Sequence, residues 1–125
     1  MTWLRVHDGL WHKRWYAALP DDARFVYLWA ITSPHTSRAG IVTCLEGAAA
    51  VELGVSVKAF TAAVEALAPR LVVVDGRIVI DQWARYQIDN PADAYGCARI
   101  AASEPASVRA AWLAANEQHY ERMGW

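Results

Sequence analysis

Apolar positions recur along this chain in two rhythms, and the switches between them mark its elements. Phe25, Leu28, Trp29 and Thr32 stand at i, i+3, i+4 and i+7, the spacing of one helix face. Pro20-Asp21-Asp22 opens that run with acids that complement the helix dipole, and Pro34 predicts its end near Ser33. Leu45, Ala49 and Leu53 share one face of an Ala-rich helix, after which Gly54 suits a left-handed terminus. Ser56 then reads as an N-cap, and Val57, Phe60, Val64 and Leu67 carry a second helix to Ala68, with Pro69 ending it. Leu10–Leu19, with Leu10, Arg14, Ala17 and Ala18 at helical offsets, reads as a short helix closed by Pro20.

The other rhythm is β. Leu71–Val74 and Arg77–Ile80 are β-branched runs separated by Asp75-Gly76, which predicts a hairpin with a two-residue type I′ turn, since both turn positions need positive φ. Thr2–Val6 alternates like a short strand broken by Asp8-Gly9, and Ile41–Cys44 is a second short β-rich segment, which would join the hairpin as a third strand. Residues 34–40 read as a loop. Beyond Pro91, Ala92–Ala102 suits a short helix, and Glu104-Pro105 opens a last one with Val108, Trp112, Ala115 and His119 on one face.

Helix, strand, helix, Gly turn, helix, hairpin is the order of a winged helix-turn-helix. The expected fold is therefore α+β and mostly helical: a winged helix-turn-helix with a small antiparallel sheet and a C-terminal helix. Leu45–Leu53 would be the positioning helix, Ser56–Ala68 the recognition helix and Val72–Ile80 the wing. Residues 1–90 would form this domain, and 91–125 a helical extension packing on it or on a partner.

Composition sharpens the picture. With 55% apolar residues the chain has enough hydrophobic surface to fold. Seven tryptophans stand out in 125 residues; Trp3, Trp29, Trp83 and Trp112 suit a core, whereas Trp11, Trp15 and Trp125 sit among polar or terminal residues. The formal charge of -1 counts against strong non-specific DNA binding, which draws its affinity from phosphate contacts, but leaves room for a local basic patch. Cys44 and Cys97 form no CxxC and have no His at metal spacing, so no metal site is expected and two reduced thiols are. No signal peptide, no apolar stretch of about 18 residues and no cofactor motif is read, so the expectation is a cytoplasmic protein without a membrane span.

Three short segments carry a resemblance: Trp3-Leu4-Arg5-Val6-His7-Asp8-Gly9, Leu53-Gly54 before the second helix, and Ile80-Asp81-Gln82-Trp83-Ala84-Arg85-Tyr86-Gln87 after the wing. Over residues 2–90 the chain resembles the N-terminal winged-helix domain of phage replication-initiation proteins, the replisome organisers and DnaD-like helicase loaders, including those of actinobacterial phages. The resemblance implies DNA binding, a replicative helicase or other replisome protein as partner, and the host cytoplasm as location.

The candidate DNA-binding residues are Arg38, Ser56, Lys58, Thr61, Arg70, Arg77 and Arg85. Lys58 and Thr61 share one face of the recognition helix, and Ser56 with the helix N-terminus suits a phosphate. Arg77, beside the hairpin tip, could reach a phosphate or the minor groove, or pair across the strand with Asp75. The recognition helix is poor in base-reading side chains. Trp11, Lys13, Arg14 and Trp15 form a basic-aromatic cluster (WHKRW) that suits base stacking, a partner surface, or simply an amphipathic helix.

Enzymatic readings find no support. There is no Ser elbow, HExxH, Walker loop or GxGxxG, and the adjacent His7-Asp8 and His12-Lys13 would not face each other in a helix or strand. Two functions compete: a double-stranded-DNA binder for phage replication initiation or transcription, and a protein-interaction module on a winged-helix scaffold, with its tail helix docking a partner or a second copy. A continuous positive strip across Arg38, Lys58, Arg70 and Arg77 would favour the first.

Overall fold

The computed structural model describes residues 6–43 and 46–122. The elements are a 3-10 turn at Asp8–His12, α1 (Arg14–Ala17), α2 (Asp21–Thr32), β1 (Ile41–Val42), α3 (Glu46–Leu53), α4 (Val57–Leu67), β2 (Leu71–Val74), β3 (Arg77–Ile80), α5 (Trp83–Gln87), α6 (Pro91–Ala102) and α7 (Ala106–Arg122). The protein is an α+β chain, mostly helical, with the helix-turn-helix and ribbon expected of a winged helix. The proposed strand at Thr2–Val6 falls almost wholly outside the described residues, as do Trp3, Cys44, Leu45 and Trp125.

Local chemistry fixes the central unit. Gly54 has φ +74° and joins α3 to α4, which meet at 95°, as in a helix-turn-helix. Ser56 Oγ accepts from Ala59 N at 3.0 Å and caps α4. Asp75 and Gly76 both have positive φ (48° and 73°), so the ribbon turns as its sequence demands. β1 joins as the third strand, giving the order β1-β3-β2, all antiparallel.

The sheet lies between two cores, and strand alternation decides which residue enters which. Val42, Leu71, Ile78 and Ile80 face the first, with Val26, Trp29 and Ala30 of α2 and Phe60, Val64 and Leu67 of α4. Ile41 and Val79 face the second, with Ala94 and Cys97 of α6 and Val108, Trp112 and Tyr120 of α7. Residues 91–122 thus cover the far face of the sheet. Trp29, Trp83 and Trp112 are buried, as expected of core tryptophans, and each indole N–H finds an acceptor: Glu52 Oε1 at 3.0 Å, the Arg38 carbonyl at 2.8 Å and the Ala39 carbonyl at 2.9 Å. Gly40, with φ +77°, lies so close under Trp83 that a Cβ there would overlap the indole.

Three expectations need correction. Leu10–Leu19 is not one helix: Lys13, at ψ 126°, is extended and separates a 3-10 turn from a single turn of α-helix. The third strand is only Ile41–Val42, because Thr43 already donates to the His35 carbonyl. The buried stripe of α7 is Val108, Trp112, Asn116 and Tyr120, with Ala115 and His119 half-buried beside it. Asn116 is drawn inward because its Oδ1 accepts from Ala84 N at 2.9 Å and its amide donates to the Trp112 carbonyl at 2.9 Å. Among the described residues no single helix is long and apolar enough to cross a membrane.

Candidate nucleic-acid interface

α4 packs Phe60, Ala63, Val64 and Leu67 inward, against α2 and the sheet. Its outer face carries Lys58, Ala62, Glu65 and Ala66, all exposed, with Thr61 half-buried at the edge. Lys58 and Glu65, two turns apart, leave that face with no net charge. Ser56 is exposed, its hydroxyl occupied by the cap.

The arginines expected around α4 have other partners. Arg38 Nη2 donates to Asp93 Oδ1 of α6 at 3.2 Å. Arg70 pairs with Asp81 at 3.9 Å, and its guanidinium lies 4.7 Å over the Trp15 ring. Burial lifts the Asp81 carboxyl above its ordinary pKa, outweighing the pull of Arg70. Arg77 Nε donates to Glu104 Oε2 at 3.2 Å. Its pairing with Asp75 does not form, because each finds its partner in the tail: Arg77 meets Glu104, and Asp75 accepts from Ser107 Oγ at 3.3 Å. The positive strip across Arg38, Lys58, Arg70 and Arg77 is therefore interrupted: three of its four members hold a carboxylate.

The WHKRW cluster is built differently. Trp11 is 59% exposed and meets Tyr16 edge-to-face with ring centroids 5.6 Å apart; Tyr16 in turn meets Trp15 and Tyr27 at centroid distances of 5.7 and 6.0 Å. Trp15 is half-buried, and Arg14 is exposed. Burial, with Tyr86 nearby, pushes the Tyr27 hydroxyl up to about 12. Arg85, after the wing, is exposed, 3.4 Å from Gln82 Oε1 and 5.5 Å from the Tyr86 ring. Lys13 Nζ approaches the same ring at 6.0 Å, and His7 meets it edge-on at 5.6 Å. The fold thus gathers two groups of candidates that sequence kept apart, around a tyrosine. No spacing rule could have joined residues 7, 13 and 86, since only tertiary packing relates them. The Cys97 thiol is buried, donates to the Arg38 carbonyl at 3.0 Å, and is pushed up in pKa by that burial, so it lacks the thiolate character of a reactive cysteine.

Compared with protein-family models, curated proteins and solved structures, the chain matches none.

Proposed function

We propose that this chain is a DNA-binding winged-helix protein of phage replication initiation, which lays the outer face of α4 in the major groove of a duplex. The observation that carries the reading is that α6 and α7 pack on the far side of the sheet, leaving Lys58, Ala62, Glu65 and Ala66 of α4 open to solvent. A helix about 10–12 Å across suits a groove about 12 Å wide. Lys58 and Thr61 face the bases, and the α4 N-terminus at Ser56 takes a phosphate. Arg70 can exchange its carboxylate for a phosphate, because a partly exposed ion pair is worth only about 0–1 kcal/mol, whereas Arg38 stays with Asp93 on α6, across the sheet. Replication, with a replicative helicase as the further partner, is supported by the resemblance of residues 80–87.

A second reading, a protein-interaction module on the same scaffold, is favoured by the uncharged face of α4 and by the engagement of Arg38, Arg70 and Arg77 with Asp93, Asp81 and Glu104. Fluorescence anisotropy of a labelled duplex separates the two. With about two phosphates neutralised, affinity should fall about tenfold between 50 and 200 mM salt. No duplex binding at the lower salt would leave the interaction module standing.

A further inference from the structure

Two segments distant in the sequence meet at the Tyr86 ring: His7 and Lys13, on either side of the 3-10 turn, and α5, in which Arg85 is the ring's own neighbour. A cavity of about 50 Å³ opens beside them, with His7, Lys13 and Tyr86 among its lining and Leu10, Ile31, Ile80 and Trp83 as its apolar wall. Arg85 stands outside that cavity and lines another with Glu117 of α7; of the other neighbouring acids, Asp8 is exposed 3.7 Å from His7, and Asp81 is turned to Arg70. Among the described residues neither Lys13 nor Arg85 has a carboxylate partner. Trp15 and Tyr27 also line the cavity, and Tyr16 bridges from them to the open indole of Trp11. Two cations on the half-buried Tyr86 ring, an apolar recess and the exposed Trp11 ring suit a ligand that offers phosphate and a free aromatic face together. A cavity this small cannot enclose a base, so a base would have to lie on the exposed Trp11 ring, with its phosphate toward Lys13 and Arg85. A duplex hides its base faces in the stack and could use only the charges.

We propose that Trp11, Lys13, Arg85 and Tyr86 form a second nucleic-acid site that takes single-stranded DNA, distinct from the duplex face of α4. It extends the nucleic-acid reading given above, and no residue of α4 lines the cavity beside it. Stacking and charge supply its affinity without base readout, so it tolerates any sequence.

The test is anisotropy of the full chain with labelled oligothymidine and, separately, with a labelled duplex at low salt. Trp11→Ala combined with Lys13→Glu should weaken oligothymidine binding by about tenfold or more and duplex binding by less than about twofold. Lys58→Glu should do the reverse. Both residues substituted in the double variant are exposed, and circular dichroism checks that it folds; Trp11→Ala with Lys13→Gln repeats the test without adding a negative charge. Absent oligothymidine binding, or binding indifferent to both double variants, overturns the site whatever the duplex does. Oligothymidine binding lost in both double variants upholds it even if the duplex is not bound.

Discussion

Arg77 Nε donates to Glu104 Oε2 across 3.2 Å, so the arginine beside the ribbon tip is tied to the turn between α6 and α7. With Ser107 donating to Asp75, the wing is fastened to the tail helices at its tip as well as along its face. Glu104 is the more buried partner, its side chain 13% exposed against 33% for Arg77. Glu104→Gln keeps an acceptor for Arg77 but loses the charge of a mostly buried carboxylate, so it should lower stability by about 1–2 kcal/mol. The same substitution releases a cation at the wing, so duplex affinity should rise and its log–log salt slope steepen by about one. Denaturant unfolding and a salt titration of binding check both halves; an unchanged slope would mean that Arg77 does not reach DNA even when freed.

Gly40 should resist substitution. Its φ of +77° and the indole of Trp83 against its Cα leave no room for a methyl. Gly40→Ala should cost about 3 kcal/mol, combining backbone strain with overpacking. Gly47, whose added Cβ would meet nothing within 4 Å, is the control, and Gly47→Ala should be neutral or stabilising in the same unfolding measurement.

The tail is part of the core. Removing everything after Asn90 would bare Ile41 and Val79, both 0% exposed, each worth about 1.5–3 kcal/mol when fully buried. It would also strip Trp112 from the Ala39 carbonyl and Asn116 from Ala84 N. Chain 1–90 should therefore unfold or self-associate. A cooperative melting transition like that of the full chain would refute the two-core account.

Acid should weaken the joint between α2 and α3. Hydrogen bonds from Trp29 Nε1 and then from His35 to Glu52 hold its carboxyl below the ordinary value of 4.5. A carboxylate with a depressed folded-state pKa contributes stability that is present above its unfolded pKa and lost as pH falls through the folded one. Stability should thus decline below about pH 4.5, and Glu52→Gln should flatten that decline. Urea midpoints between pH 3 and 7 supply the measurement.

Much of this fold was legible because its signals are local. Asp75-Gly76 dictates the turn by backbone conformation alone, Ser56 and Gly54 bound their helices by their own chemistry, and the tryptophans at 29, 83 and 112 are buried as size predicts. The break at Lys13 was hidden because its neighbours keep a helical spacing on either side of one extended residue. The α7 stripe shifted because a buried Asn looks polar until its partner at Ala84, 32 residues away, is known. The candidate interface suffered most: Arg38 finds Asp93 across 55 residues and Arg77 finds Glu104 across 27, so neither carboxylate could be assigned from spacing.

A charge swap on the outer face of α4 tests the proposed docking most directly. Duplex affinity is measured by anisotropy for Lys58→Glu and for Glu65→Lys, both on exposed positions of one helix face. The account predicts opposite outcomes: about tenfold weaker binding for the first, and tighter binding with a salt slope steeper by about one for the second. Equal affinity for both variants and the unsubstituted chain would contradict it.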